Sequence, residues 1–310
     1  QFLLYTFSSA LIFCMIVVFV NKQRFTLEEF KYGLCMGIPN YLSSKFLLLA
    51  LHQILAVIVY PTFSVGTIIT ITFAGLLLFK EKMGYFAEPN GNHCLIEDIH
   101  QLRMETQKEY FNVPYFMLGH SMGSFLLRQY LGMYGKNLTG AIIMGTGDKP
   151  DFVVKAGKLV CKVLAKFKGW EHRSNFVNSF VVGGFEKKMG KGWLSRNEEN
   201  VKTYAADPLS GFVFTLNAFY HMFDGMSKMN RQEKSGQIPK ELPLFFVAGD
   251  KDPVGNNGTG VKAVYQRYLD KGVKNAEIKL YPDDRHEILN ELDKAVVYED
   301  IYCWIANLIQ

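Results

Sequence analysis

Hydrophobic and polar residues are distributed differently in the two parts of this chain. Residues 1–83 contain long apolar runs with few charges, whereas residues 84–310 alternate short apolar runs with amphipathic segments. Three apolar runs lie at 1–20, 33–51 and 54–79. Each is close to or longer than the roughly 20 residues that a helix needs to cross the hydrocarbon of a bilayer. The pattern therefore predicts about three transmembrane helices in the first part of the chain.

The charged residues that flank these runs predict their orientation. Lys22, Arg24 and Lys31 lie between the first and second runs, and Lys80 and Lys82 follow the third. The turn between the second and third runs has no Lys or Arg. Positive charges accumulate on the cytoplasmic side of membrane segments. We therefore expect the second part of the chain at the cytoplasmic face of an inner or plasma membrane.

The second part of the chain predicts alternating strands and helices. Short apolar runs indicate strands at 114–118, 138–144, 242–248 and 277–281. Segments with a helical spacing of apolar residues lie at 95–110, 125–134, 261–271 and 294–309. Because strands that alternate with helices are typical of a parallel sheet, we predict an α/β domain over residues 84–310.

The strand at 114–118 leads into a motif that is typical of a nucleophilic serine. Gly119-His120-Ser121-Met122-Gly123 lies between this strand and a predicted helix, which is the context of the G-x-S-x-G nucleophile elbow. The glycines permit a sharp turn that projects the serine hydroxyl above the sheet. The amide of Met122 would begin the helix, where it could donate a hydrogen bond to an oxyanion.

A serine hydroxyl needs a base and an orienting acid to become a nucleophile. In this kind of site both follow later strands, in the chain order Ser, Asp, His. His286 follows the strand at 277–281, and we predict that it accepts the proton of Ser121. Four aspartates are candidates for the acid, two after the strand at 242–248 and two beside the histidine: Asp250, Asp252, Asp283 and Asp284.

Composition and charge exclude several other classes of function. The 310 residues carry a net charge of +5 without a concentrated basic stripe, so nucleic acid is not an expected partner. The five cysteines are scattered and form no CxxC pair, which argues against a disulfide framework or a zinc site and fits a reducing compartment. We therefore predict no metal and no cofactor, and the oligomeric state stays open.

Residues 84–310 resemble the serine aminopeptidase and monoacylglycerol lipase branch of the α/β-hydrolase superfamily, often labelled lysophospholipase-like. The stretches that carry the resemblance are Gly84–Glu88, Leu118–Ser124, Asp207–Phe212, Gly249–Gly255 and Arg285–Glu291. The resemblance implies a serine hydrolase that cleaves esters of monoacylglycerol or lysophospholipid. It makes Ser121 the nucleophile, Asp252 the triad acid, His286 the base and Met122 an oxyanion-hole amide. It does not separate an esterase from a peptidase.

The same resemblance makes residues 148–239 a helical cap over the site. Aromatic and methionine side chains of this segment would suit an acyl chain or would pack the cap against the sheet: Phe176, Phe180, Phe212, Phe214, Phe219, Tyr220, Met222, Phe223 and Met226. We expect Lys187, Lys188, Lys191 and Lys228 on solvated faces. His120 is a candidate for the lining of the pocket.

Residues 1–83 resemble one part of a repeat from the drug/metabolite transporter superfamily. The matching stretches are Gly37–Tyr41, Phe46–Leu51, Val59–Gly66 and Ala74–Lys82. Those transporters are built from two inverted repeats. The resemblance therefore implies a membrane fragment that is too short for a complete permeation path.

Relatives of the hydrolase family have several strands, and a His-Gly loop that supplies a second oxyanion amide, before the counterpart of Gly84. Residues 79–84 leave no room for them. Losing one oxyanion donor typically costs about 100- to 1,000-fold in turnover. We therefore hypothesise an N-terminally truncated hydrolase with impaired activity, joined to the transporter-like fragment. A membrane transporter component and a non-functional fusion of two truncated proteins are the alternatives.

Overall fold

The computed structural model describes residues 82–309 and a few helical positions between residues 11 and 46. The chain divides into two compact units, Gln1–Lys82 and Met83–Gln310. Apart from those few positions, the predicted membrane helices and the transporter-like stretches lie outside the described residues. In the part of the chain that the structure describes, no helix has both the length and the apolar character to span a bilayer.

Four parallel strands form the sheet that the structure describes. They are β1 (Phe116–His120), β2 (Gly140–Met144), β3 (Leu244–Gly249) and β4 (Ala276–Tyr281). Their spatial order is the same as their order in the chain. Because all four run in the same direction, the loops that follow them leave from one edge of the sheet. The predicted α/β domain with a parallel sheet is confirmed.

Helices connect these strands and cover the sheet. In chain order they are α1 (Gly91–Glu109), α2 (Met122–Tyr134), α3 (Asp151–Lys168), α4 (Asn175–Asn178), α5 (Gly184–Met189), α6 (Glu198–Ala206), α7 (Leu216–Ser235), α8 (Thr259–Asp270) and α9 (Lys294–Ile309). A π-turn at Ser179–Gly183 and 3₁₀ turns at Gly190–Trp193 and Ile288–Asn290 complete the secondary structure.

The central strands are apolar on both faces, as expected for a parallel sheet covered on both sides. Ile143 and Phe246 point toward the core that the sheet forms with α1, α2 and α8. Ile142 and Phe245 point the opposite way, toward the core that includes Trp304 of α9. Side chains alternate between faces along a strand, so β2 and β3 contribute to both cores.

Helices α3 to α7 lie between β2 and β3 in the chain and have a core of their own. Val154 and Cys161 of α3 are buried there against Phe223 and Met229 of α7. These helices occupy the segment that was predicted to be a cap, residues 148–239.

A buried network of charges joins α2 to α7 and α8. The Arg128 guanidinium donates two hydrogen bonds to the Glu233 carboxylate, Nε to Oε1 at 2.8 Å and Nη2 to Oε2 at 2.9 Å. Glu233 also accepts hydrogen bonds from Nη1 of Arg267 at 3.0 Å and from the Tyr268 hydroxyl at 3.0 Å. The side chains of Arg128 and Glu233 are 0% and 1% exposed, so both charges depend on these partners for the interactions that water would otherwise supply.

The same network holds the loop that follows β2. Nη1 of Arg128 donates to the Thr146 hydroxyl and to the Gly147 carbonyl, each at 2.9 Å. Arg267 pairs with Asp148 at 2.8 Å. Arg128 and Arg267 therefore hold residues 146–148 in position.

Glu233→Gln should destabilise the protein by about 3–5 kcal/mol, because it leaves buried arginine charge without its counter-charge. The measurement is the free energy of unfolding from urea titrations of the full chain followed by circular dichroism. Lys274→Gln is the matched control, since the Lys274–Glu241 pair is 66% and 71% exposed and such pairs contribute little. Equal stability of the two variants would contradict this account of the network.

Candidate active site

Ser121 occupies a sharp turn between β1 and α2. Its backbone angles, φ 54° and ψ −120°, lie in a region that residues with a side chain rarely adopt. The turn requires glycine at Gly119, because a Cβ there would lie 2.4 Å from the carbonyl oxygen of Gly123. The Ser121 amide donates to the Met144 carbonyl at the end of β2, at 3.1 Å. The strained turn is thus held against the edge of the sheet.

The predicted oxyanion donor, Met122, is the first residue of α2. Within residues 82–309 its amide makes no hydrogen bond to another protein group. The helix dipole places partial positive charge at this end of α2. Both Ser121 and Met122 line the same cavity.

His286 and Asp252 are brought together from the loops after β4 and β3. Nδ1 of His286 lies 2.9 Å from Oδ2 of Asp252, and the two residues are 2% and 0% exposed. The other carboxylate oxygen of Asp252 accepts a hydrogen bond from the Val254 amide at 2.8 Å. With Nδ1 bonded to a carboxylate, Nε2 of the imidazole is left to accept a proton.

The last residue of β2 and the glycine after it lie between the serine and the histidine. Ser121 donates to the carbonyl of Met144, and a Cβ on the next residue, Gly145, would lie 3.2 Å from Cε1 of His286. Ser121 and His286 therefore lie on the same edge of the sheet. Within residues 82–309 the structure shows no direct hydrogen bond between the Ser121 hydroxyl and the His286 ring. Catalytic hydrogen bonds are often long in the absence of substrate.

The other candidate acids have different partners. Asp250 accepts a hydrogen bond from the Asp283 amide at 2.8 Å, which fixes the turn beside β4. Asp283 is exposed and has a positive φ of 62°. Asp284 pairs with Arg196, which follows the Gly190–Trp193 turn of the cap segment. Among the four candidates, the structure brings Asp252 to the histidine.

Asp284 belongs to a cluster with more carboxylates than cations. Arg196 also pairs with Asp293 at 2.9 Å and lies 3.5 Å from Glu291. Burial, followed by the neighbouring Asp293 and Glu291, raises the pKa of Asp284 to about 7. The cluster joins the cap segment to the loop that carries His286.

Two further rings contact the His286 imidazole. The Trp193 and His120 rings lie with their centroids 5.2 Å and 4.7 Å from that of His286. Burial and the neighbouring His286 lower the pKa of His120. A neutral His120 can donate from Nε2 to the carbonyl of His286, at 3.0 Å. His120, which we predicted to line the pocket, instead supports the histidine backbone, and no sequence signal distinguished Trp193.

Ser121 and side chains of the cap segment line a cavity of about 430 Å³. Five of the predicted cap side chains line it: Phe212, Phe214, Phe219, Met222 and Met226. Phe176 and Phe180 are exposed instead, and Phe223 packs inside the cap.

Lys191 lines the cavity and pairs with Glu186, and Lys228 pairs with Asp224 at 2.8 Å. Both lysine side chains are more than a third exposed, so they reach solvent as expected, and each also pairs with a carboxylate.

No group of three or more His, Cys, Asp or Glu side chains is arranged to hold a metal ion in the described part of the chain.

The first strand of this parallel sheet is followed by a serine in a strained turn and then by a helix. The loops after the last two strands carry a His–Asp pair. This arrangement is that of an α/β-hydrolase fold. The chain belongs to the serine aminopeptidase S33 family, whose pattern matches residues 82–293. This match begins at residue 82 and gives no support to the predicted transporter-like segment.

Several similar proteins are named lipases or esterases. Monoacylglycerol lipase of Mycolicibacterium smegmatis is 25% identical over 216 residues, which are 68% of this chain and 69% of the relative. Monoglyceride lipase of Rattus norvegicus is 24% identical over 69% of this chain and 65% of its own length. The structure of a thermostable carboxyl esterase from Bacillus coagulans has a TM-score of 0.65 at 30% identity, over 72% of this chain and 74% of the esterase. The predicted enzyme class, a serine ester hydrolase, is confirmed.

Asp284→Asn should gain stability relative to the unmodified chain as the pH rises from about 4 to about 7. Over this range the folded state keeps a proton on Asp284 while the unfolded state has lost it, so the unmodified chain becomes less stable with rising pH. An amide does not titrate and removes this contribution. Urea unfolding of both proteins at several pH values provides the measurement.

Asp283→Asn is the control for this titration, because Asp283 is exposed beside Asp284. A stability difference between Asp284→Asn and the unmodified chain that stays constant with pH would refute the raised pKa.

Proposed function

We propose that this protein cleaves carboxylic esters of lipid-like substrates, of the monoacylglycerol or lysophospholipid class, with Ser121, His286 and Asp252 as a catalytic triad. The observation that carries the proposal is the buried hydrogen bond between Asp252 and His286, at the same sheet edge as a serine in a strained turn. Both histidine and aspartate are nearly inaccessible to water, which favours a fixed orientation of the imidazole.

Each residue has a role that follows from its position. Nε2 of His286 accepts the proton of Ser121 as the serine oxygen attacks the ester carbonyl carbon. The Met122 amide donates a hydrogen bond to the resulting oxyanion. The alcohol leaves with the proton from His286, and a water molecule, deprotonated by His286, then releases the acid from Ser121. Asp252 holds the imidazole and stabilises its positive form.

The cavity supports an ester substrate with an apolar chain. Phe214, Phe219 and Met222 form part of the wall of the cavity that Ser121 also lines. Glu186 is the carboxylate among the cavity-lining residues, and it is paired with Lys191. Among the described residues the cavity thus offers no unpaired carboxylate for the amino group of a peptide, which favours an esterase over an aminopeptidase. Two similar proteins bear the name monoacylglycerol or monoglyceride lipase, which agrees with this substrate class.

The rate of the reaction is a separate part of the proposal. The Met122 amide is the oxyanion donor that we identify within residues 82–309. We infer that turnover is reduced if no second donor reaches the site, since one donor typically contributes about 100- to 1,000-fold. The transporter alternative concerns residues that lie mostly outside the described part of the chain. The transporter and fusion alternatives both stay predictions.

The experiment is labelling of the full chain with a fluorophosphonate, peptide mapping of the product, and assay of p-nitrophenyl ester hydrolysis. We expect the label on Ser121, and we expect Ser121→Ala to abolish both labelling and hydrolysis. Asp252→Asn should lower kcat by about 10,000-fold, because the imidazole then takes the wrong tautomer. The absolute kcat of the unmodified chain measures the impairment.

Asp250→Asn is the matched control, because an asparagine carbonyl can still accept the hydrogen bond from the Asp283 amide. It should keep at least about half of the activity. Equal losses in Asp250→Asn and Asp252→Asn would rule out the assignment of the acid. Hydrolysis that survives Ser121→Ala would rule out the triad altogether.

A further inference from the structure

The side chains that line the cavity carry more positive than negative charge. Lys149, Lys191 and Glu186 all face it. Lys191 and Glu186 form an ion pair with each other, and the Lys191 ammonium also lies 5.9 Å from the centre of the Tyr204 ring. These two charges cancel, so the net positive charge of the cavity wall comes from Lys149.

Lys149 is held beside the catalytic loops by neutral groups. Its ammonium donates a long hydrogen bond of 3.4 Å to the Val254 carbonyl and lies 6.0 Å from the centre of the Phe185 ring. Within residues 82–309, no carboxylate lies within ion-pairing distance of it. Val254 follows Asp252 by two positions and donates its amide to that carboxylate, so Lys149 lies next to the proposed triad.

The acidic groups nearest to Lys149 have other partners. Asp148 pairs with Arg267 at 2.8 Å, and Asp252 accepts from His286 and from the Val254 amide. Burial lowers the pKa of Lys149, while Asp252 and Asp148 partly offset that effect through their charge. An ammonium that is partly desolvated and has no bound anion is stabilised when an anion binds to it.

Hydrogen bonds hold the backbone around Lys149, which favours a binding role over that of a solvated surface charge. The preceding loop residues are fixed by the buried Arg128 and by Arg267. The following residue, Pro150, immediately precedes the first turn of α3. The Cα atom of Lys149 is therefore held in place, and its side chain extends from there to the cavity.

We propose that Lys149 binds an anionic group of the ester substrate, so that the enzyme prefers esters that carry one negative charge near the scissile bond. The group is a carboxylate on the acyl chain or a phosphate on the alcohol. Both present oxygen atoms that accept charge-assisted hydrogen bonds from an ammonium. The inference rests on the proposed function, because it assigns a substrate class to the same site.

The experiment compares two pairs of substrates on the full chain. One pair is p-nitrophenyl hexanoate and p-nitrophenyl hydrogen adipate, which differ by a carboxylate at the end of the acyl chain. The other pair is 1-hexanoylglycerol and 1-hexanoylglycerol 3-phosphate, which differ by a phosphate on the alcohol. For each pair the readout is the ratio of kcat/KM for the anionic ester to kcat/KM for the neutral ester, after subtraction of uncatalysed hydrolysis.

Lys149→Gln removes the charge but keeps a donor for the Val254 carbonyl. We expect it to lower the ratio by at least about tenfold in one of the pairs, the loss typical of a hydrogen bond to a charged group. The affected pair identifies the side of the ester that carries the anion. Lys149→Arg should retain most of the preference. Lys162→Gln is the matched control, because Lys162 is exposed on α3, and it should leave the ratio unchanged.

The outcomes separate this inference from the proposed function. A ratio that changes by less than about twofold in Lys149→Gln for both pairs, with hydrolysis still dependent on Ser121, overturns the role of Lys149 alone. A ratio that falls equally in Lys149→Arg and Lys149→Gln overturns it as well, since the charge would then not be the cause. Failure of the unmodified chain to hydrolyse any of the four esters overturns both the inference and the proposed function.

Discussion

The guanidinium of Arg128 and the carboxylate of Glu233 lie inside the molecule, where neither charge reaches solvent. Arg128 belongs to the helix that follows the candidate nucleophile, and Glu233 belongs to the last long helix before β3. Removing either partner would leave a buried charge uncompensated, which typically costs several kcal/mol. The hydrogen bonds of Arg128 therefore fix the cap segment to α2 and hold the loop after β2.

The loop that Arg128 holds is continuous with Met144, which is hydrogen-bonded to Ser121. Ser121 adopts unfavourable angles, and such strain persists only where the surroundings determine it. The carbonyl of Met144 binds the Ser121 amide, and Gly145 lies against His286. The end of β2 and the loop that follows it thus contact both the candidate nucleophile and the candidate base, although they contribute no acid or base to the proposed mechanism. A fixed loop at this place keeps the two side chains at one edge of the sheet.

A second set of contacts joins the cap segment to the loop that carries His286. The Glu291 carboxylate accepts from the amides of Arg196 and Arg285, both at 3.0 Å, and the Glu287 amide donates to the Leu194 carbonyl at 2.8 Å. Trp193 therefore packs against His286 because its neighbours are hydrogen-bonded there. The cavity wall and the candidate base are therefore joined by direct contacts.

The order of the elements and the serine motif could be read from the sequence alone. Apolar runs such as 138–144 and 242–248 predicted strands because buried parallel strands are hydrophobic on both faces, and Gly119 and Gly123 marked the turn around Ser121. The choice among the aspartates needed a resemblance, because Asp250 and Asp252 follow the same strand and differ in what folds against them. Only the tertiary structure showed that Asp252 meets His286, that Trp193 contacts the imidazole and that Lys149 faces the cavity without a carboxylate partner among the described residues. Local patterns determine elements, whereas contacts between residues far apart in the chain arise when those elements pack, and no local pattern encodes them.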